Sequence, residues 1–299
     1  MTIVERRKKN IEIFETTTSM NTTHPKLVES IQSSIARQAV FVAGESEPFD
    51  YFGNFMPKPN KEKAKVIVSG KRSFEAAKPY ALAGKKVCVL NFADWTNPGG
   101  WVLKGSSAQE ESLCRCSTLY PCLTDKKVME GFYAPHKAML KRDPMKILHN
   151  DDVIFTPGVT VFMSDTSFPE PLPEEEWYQI DVVTCAAPRL RLKKADQKRL
   201  NATSDTLEID EQILRNLLYS RIGMIFEAPL ARDYENYDVL ILGGWGCGAF
   251  RNPPELVAEA FNEQVKNFCH HFETIEFAIY HKEKETRNYE VFCKCITQP

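Results

Sequence analysis

The chain is predicted to fold as a three-layer α/β domain, a mixed sheet flanked by helices, preceded by an N-terminal helical extension. Two runs carry that expectation: residues 86–93 and 238–242 are short, apolar and rich in β-branched side chains, as strands buried on both faces are. Each leads into a glycine-rich loop and then into a helical pattern. Strands that alternate with helices in this way form sheets whose ligands bind beyond the carboxyl ends of the strands.

In chain order, Ile11 and Phe14, then Leu27, Ile31 and Ile35 with Ala39, carry helical spacing on either side of a break at Thr22-Thr23-His24-Pro25, which predicts two helices. Residues 45–65 are rich in Pro, Gly and charge and hold Phe49, Tyr51, Phe52 and Phe55; they read as a long irregular connection or a short hairpin with aromatic anchors. Residues 73–83 form a helix ended near Gly84. After the 86–93 strand, Asn97-Pro98-Gly99-Gly100 makes a turn and 106–120 continues helically through Leu113, Cys116 and Tyr120. Further strands are expected at 153–155, 159–163 and 181–187, with an acidic, proline-rich loop at 168–176. Leu207, Ile209, Ile213, Leu217, Leu218 and Ile222 suit a helix over 205–227. The pattern then repeats as the 238–242 strand, a second glycine loop at 243–250, a helix opened by Pro253-Pro254, and a final strand at 276–280. No repeat, low-complexity tract or clear linker divides the chain, so residues 1–65 are taken as the extension and 66–299 as one core domain.

Of 299 residues, 43% are apolar and 26% charged, which excludes a disordered chain. Thirty-eight Lys and Arg against forty Asp and Glu give a formal charge of -2, so general nucleic-acid binding is not expected. No apolar run approaches the roughly 18 to 20 residues that span a bilayer, and residues 1–10 are charged with no apolar core behind them. No membrane partner and a cytoplasmic location follow. Nine cysteines, odd in number and scattered, read as reduced thiols rather than a disulfide framework. Cys114-Arg115-Cys116 and Cys293-Lys294-Cys295 have C-x-C rather than C-x-x-C spacing, and Cys269-His270-His271 lacks a matching half, so no metal site is expected.

Chemistry concentrates in the two loops. Gly243-Gly244-Trp245-Gly246-Cys247-Gly248-Ala249-Phe250 has glycines that let backbone N–H groups converge on phosphate, and a helix start near Pro253 adds positive dipole. A tight strand-to-helix connection needing φ > 0 is the plainer reading. The loop is neither G-x-x-x-x-G-K-[ST] nor G-x-G-x-x-G, which disfavours a nucleoside triphosphatase or a standard dinucleotide fold. The first loop runs from Asn97 to Glu111. Ser107 with Glu110 fits a capping box, and Glu111 suits the first helical turn. That reading leaves unexplained why Gln109-Glu110-Glu111 directly follows a glycine-rich segment.

The segment resembles the signature of the microbial-type poly(ADP-ribose) glycohydrolases, a macrodomain-related family marked by G-G-G, a short spacer and Q-E-E. The pattern continues in Ser112-Leu113-Cys114-Arg115. Val89-Leu90-Asn91-Phe92-Ala93 is similar to the strand before the signature, Leu119-Tyr120-Pro121 and 178–188 are also similar, and 242–252 resembles the family's diphosphate-binding loop. The resemblance covers about 3–272. Trp101 stands where the family has its third glycine.

The resemblance implies a macrodomain-like fold, with 66–299 as the catalytic domain, and hydrolysis of ribose–ribose O-glycosidic bonds in poly(ADP-ribose). The substrate would be the polymer or an ADP-ribosylated macromolecule, and neither metal nor redox cofactor is implied. Glu111 would be the general acid and later the base. Adjacent helical residues point roughly 100° apart, so Glu110 is cast as a hydroxyl-orienting acceptor rather than the second member of a flanking pair. Asn97 would hydrogen-bond the distal ribose, with the Gly99 and Gly100 backbone close to it and Gln109 in the same binding set. Gly244, Trp245, Gly246, Cys247, Gly248 and Ala249 would cradle the diphosphate with backbone donors and no lysine cluster. Phe250 would pack on the distal ribose, or else in the core. Two alternatives remain: a hydrolase of single ADP-ribose units, with Trp101 blocking the polymer side, and a non-catalytic ADP-ribose reader. The carboxylate pair weighs against the reader, because a bound diphosphate gains nothing from nearby anions.

Overall fold

The computed structural model describes residues 1–42, 57–148, 150–233 and 235–299. Phe49, Tyr51, Phe52 and Phe55, the aromatic residues of the 45–65 connection, lie outside the described residues.

The strands are β1 (Ala39–Phe41), β2 (Lys65–Ser69), β3 (Val87–Phe92), β4 (Val153–Val161), β5 (Tyr178–Cys185), β6 (Tyr237–Leu242) and β7 (Phe272–Ala278). They form a mixed sheet in the order β1-β4-β5-β3-β6-β7-β2. From β5 to β2 neighbouring strands run parallel, while β4 opposes β5 and β1 opposes β4. Alternation along β3 builds both faces: Cys88 and Leu90 pack in one buried cluster, Val87 and Val89 in the other. Helices cover both faces, giving the three layers expected. They are α1 (Ile3–Thr23), α2 (Pro25–Arg37), α3 (Ser73–Leu82), α4 (Gln109–Cys116), α5 (Leu119–Leu123), α6 (Lys126–Val128), α7 (Ala134–Arg142), α8 (Lys194–Leu200), α9 (Glu211–Asp233), α10 (Pro254–Phe268) and α11 (Arg287–Cys295).

Several details depart from the sequence reading. Ala39 belongs to edge strand β1, so the N-terminal segment supplies sheet as well as helix. Strand β2, on the opposite edge, was not expected, because its five residues follow directly on a charged stretch. The two strands expected at 153–155 and 159–163 are one, interrupted between Thr156 and Val159 where Gly158 takes φ +70°. The helix expected over 106–120 is two: Ser117 bridges Val161 and Thr118 N donates to Thr160 O at 3.0 Å, which draws the chain straight between α4 and α5. Helices α6, α7, α8 and α11 were not anticipated, and the last strand is β7 rather than 276–280.

Helix α1 docks in a way that hydrophobic spacing does not reveal. Its buried residues are Asn10, Phe14, Thr17 and Asn21, spaced four, three and four apart on one stripe. Three of them are hydrogen-bond donors aimed at backbone carbonyls in and beside α4: Asn10 Nδ2 to Gly105 O at 2.9 Å, Thr17 Oγ1 to Arg115 O at 2.6 Å, and Asn21 Nδ2 to Ser117 O at 3.4 Å. A Cβ on Gly105, at φ +70°, would overlap the Arg7 carbonyl, so loop and helix touch backbone to backbone. All nine cysteines are free thiols. Among the described residues no helix is long and apolar enough to cross a membrane.

Thr17→Val keeps the shape and removes one of these donors, leaving the buried Arg115 carbonyl without it. We expect a loss of about 1 to 3 kcal/mol in urea unfolding, the cost of an unsatisfied buried group.

Candidate active site

Strands β3, β5, β6 and β7 end on the same side of the sheet, and the segments that follow them enclose a cavity of about 800 Å³. That volume lies in the range of small-molecule sites, roughly 300 to 1,000 Å³. Phe92, Ala93 and Asp94 line it after β3, Ala187 after β5, Gly244 to Gly246 after β6, and Ile279 and Tyr280 after β7.

Gln109, Glu110 and Glu111 open α4, and each side chain is spent on the backbone of the segment from β3 to Trp101. Gln109 Oε1 accepts from Phe92 N at 2.9 Å while its Nε2 donates to Leu90 O at 2.7 Å. Glu110 Oε2 accepts from Asp94 N at 2.7 Å, and Glu111 Oε1 from Trp101 N at 2.9 Å. The capping-box reading fails here: the N-cap is Ala108, with no side-chain cap, and Glu110 reaches to Asp94 instead of back to Ser107. The two carboxyl groups start apart on the helix but meet at Gly100, where a Cβ would lie 2.6 Å from Glu111 Oε1 and 3.1 Å from Glu110 Oε2. Gly100, at φ +60°, is therefore required by the carboxylates.

Both carboxyls are nearly out of solvent, at 3% exposure for Glu110 and 5% for Glu111. Burial pushes the Glu110 carboxyl well above the ordinary carboxylate range, with the Asp94 and Glu111 charges adding to the rise and the Asp94 N–H opposing it. Burial raises Glu111 as well, against the Trp101 N–H and the Arg115 charge. Each is thus poised to hold a proton at higher pH than a free glutamate.

The second loop supplies donors. The N–H groups of Gly246, Gly248 and Ala249, whose residues line the cavity, have no acceptor among the described residues. Gly246 takes φ +74°, and a Cβ there would sit 2.5 Å from both Ala187 Cβ and Asn252 Nδ2. Gly248 has open space and no positive φ, so the conformational demand expected of either glycine rests on Gly246 alone.

Other expected site residues fall elsewhere. The Trp245 indole is fully buried with Nε1 bonded to Cys185 O at 2.9 Å, so only its backbone can face the cavity. Cys247 does not line the cavity and packs against the core. Asn97 and Gly99 are also off the wall: Asn97 Nδ2 is tied to Asp94 Oδ1 at 3.2 Å, and a Cβ on Gly99 would strike the Tyr120 ring at 2.7 Å. Phe250 lines the cavity while packing against the core. Trp101 is 40% exposed on the cavity rim, its ring 4.5 Å from the Lys104 ammonium and 5.6 Å from that of Lys193.

The sequence reading missed Asp94, whose Oδ1 accepts from Thr96 N at 2.8 Å and Asn97 N at 3.0 Å and so shapes the turn. It also missed the cations: Arg189, Arg191, Lys193 and Lys194 line one wall, although no lysine cluster was expected. Their signal lay in the alternation Arg189-Leu190-Arg191-Leu192-Lys193-Lys194, with both leucines buried; Arg189 is buried too and paired with Asp196 at 2.8 Å, which leaves Arg191, Lys193 and Lys194 as the cations on the wall with no ion pair among the described residues. Among the described residues no three His, Cys, Asp or Glu side chains are grouped to hold a metal.

The sheet and the paired loops define a macrodomain-like α/β hydrolytic domain, and sequence comparison places it. Residues 7–164 match the family model of the microbial-type PARG catalytic domain, so the chain belongs to that family. It is similar to the poly(ADP-ribose) glycohydrolase of Thermomonospora curvata, with 25% identity, a TM-score of 0.75, and coverage of 98% of this chain and 99% of that one. The same enzyme bound to the inhibitor ADP-HPD matches at 26% identity and a TM-score of 0.72, covering 97% and 98%. The poly(ADP-ribose) glycohydrolase of Deinococcus radiodurans in complex with ADP-ribose matches at 26% identity and a TM-score of 0.69, covering 88% and 95%. No curated protein matches the chain.

A carboxyl whose pKa is raised by folding favours the folded state when protonated: its stabilising effect is present below the ordinary carboxylate range and is lost as pH rises through the raised value. Glu111→Gln keeps the bond from Trp101 N and cannot ionise. Its melting temperature should therefore exceed that of wild type on the basic side and converge with it on the acidic side, as differential scanning calorimetry across pH would record. Gly246→Val should weaken ADP-ribose binding at least tenfold by calorimetry, since the branched side chain cannot take the loop's conformation.

Proposed function

We propose that this protein hydrolyses ribose–ribose O-glycosidic bonds of poly(ADP-ribose) and releases ADP-ribose. The observation that carries the reading is the placement of Glu111, a buried carboxyl held by Trp101 N, on the wall of a cavity that also presents the free N–H groups of Gly246, Gly248 and Ala249. A carboxyl that burial lifts above the ordinary carboxylate range, beside donors for a diphosphate, is what acid-assisted cleavage of an ADP-ribosyl linkage needs.

In this reading the diphosphate lies on the 244–249 loop, with Arg191, Lys193 and Lys194 on the wall supplying the longer-range attraction while Arg189 is paired with Asp196. The distal ribose sits over Gly100, whose missing side chain leaves room for both carboxyls beneath it. Glu111 gives its proton to the leaving oxygen as the bond from that oxygen to the anomeric carbon breaks, and the sugar passes through an oxocarbenium-like state. The Glu111 carboxylate then takes a proton from water as the water oxygen bonds to the anomeric carbon. The products are ADP-ribose and a chain ending in a hydroxyl, and Glu111 is protonated again. Glu110, tied to Asp94 N and Asn91, orients a ribose hydroxyl. A reducing, cytoplasmic setting fits the free thiols.

Trp101, on the rim between two lysines, narrows the entrance and favours short or terminal units over the interior of a long chain.

Release of ADP-ribose from labelled polymer is the direct test, and Glu111→Gln should lower turnover by about two to four decades, the usual contribution of general acid–base catalysis, while calorimetry still shows ADP-ribose binding. Because the acid must be protonated, wild-type turnover should fall as pH rises through the raised Glu111 value, and that limb should vanish in the variant. Normal turnover in Glu111→Gln would reject the assignment. Trp101→Gly should raise the rate on long polymer relative to a single-unit substrate by roughly threefold to tenfold, in keeping with the 0.5 to 1.5 kcal/mol of an aromatic contact.

A further inference from the structure

A second pocket of about 310 Å³ adjoins the main cavity, sharing Arg72, Ser107, Ser112, Tyr280 and Asn288 with its wall. Three guanidinium groups from separate elements converge on it: Arg6 from α1, Arg72 at the start of α3, and Arg115 from the last turn of α4. None of the three is in an ion pair among the described residues. Lys282, also on the wall, is taken by Glu285 at 3.2 Å. Asp165 lies within the field of Arg72 but is engaged by Phe74 N at 2.9 Å.

The arginines are held as a receptor would hold them. Arg115 is 3% exposed and fixed by Nη1 donating to Ser106 O at 2.6 Å, and its buried Nε has no acceptor. The buried Nε of Arg6 has none either. Arg72 is flattened against the Tyr280 ring, 3.9 Å from its centroid, with Nη2 donating to Ser167 Oγ at 3.2 Å. A buried guanidinium cannot relieve its charge by losing a proton, and burying it without an anion is costly. Arginine forks match phosphate oxygens, and the Ser107, Thr166 and Ser167 hydroxyls add neutral donors, the Ser112 hydroxyl being turned to Asp165.

We propose that this pocket is a second anion subsite, and that it takes the diphosphate of the neighbouring unit when a polymer occupies the main cavity. The identity of the occupant rests on the glycohydrolase reading; the anion site itself does not.

The test has two arms. First, inorganic pyrophosphate is titrated by calorimetry into protein saturated with ADP-ribose. One pyrophosphate should bind per chain, and Arg6→Gln, on helix α1 and not on the wall of the main cavity, should weaken it about tenfold without changing ADP-ribose affinity. Pyrophosphate excluded by ADP-ribose would make the pocket part of the main site and overturn the proposal, as would wild-type pyrophosphate affinity in a variant with an unchanged circular dichroism spectrum. Second, Arg6→Gln should raise KM for long polymer by a similar factor while leaving kcat on a single-unit substrate unaltered. An unchanged polymer KM in a variant that no longer binds pyrophosphate would overturn the polymer as occupant. Pyrophosphate binding in a protein that releases no ADP-ribose would defeat the glycohydrolase reading and leave the anion site standing.

Discussion

The site depends on three consecutive side chains being bonded to the main chain of one loop. Gln109 fastens the end of β3, Glu110 the turn at Asp94, and Glu111 the far side at Trp101. The loop gains the fixed shape of a secondary element without being one. In return its N–H groups satisfy two carboxyl oxygens that burial would otherwise leave without solvent. Remove the loop's grip and the carboxyls would seek water; remove the carboxyls and the loop would lose its template.

How much of this could be read beforehand follows from the range of each interaction. The buried strands β3 and β6 and the helices after them were legible because several adjacent residues repeat the same signal. The glycine loops were legible as loops, but the reason for each glycine was not. Gly99 answers to Tyr120 and Gly246 to Ala187 and Asn252, partners set by the tertiary fold. Trp245 shows the limit in the other direction: it stands amid ligand-facing backbone, yet its indole is the side of the loop that faces the core. The capping box misled because Ser107 and Glu110 have the right spacing, and only the path of β3 decides that Glu110 has a better donor to meet.

The same reasoning accounts for α1. Hydrophobic spacing picks out Ile11 and Phe14, but the buried stripe is mainly Asn10, Thr17 and Asn21, which a pattern of apolar residues passes over. These side chains are inside because backbone carbonyls around α4 need donors that α4 and its loop do not supply. The N-terminal helix thereby completes the hydrogen bonding of the segment that carries Glu110 and Glu111.

Docking by donors has a mechanical consequence. An apolar stripe tolerates small rotations and slides, because contact with a greasy surface changes little over an ångström. Hydrogen bonds of 2.6 and 2.9 Å to particular carbonyls do not, and the backbone contact at Gly105 blocks movement in the remaining direction. Helix α1 is keyed to the core at one angular setting and one axial position, as a shaft is held by a spline. Any force or partner that turned the N-terminal helix would act directly on the two ends of α4, and the reacting carboxyls would feel the torque.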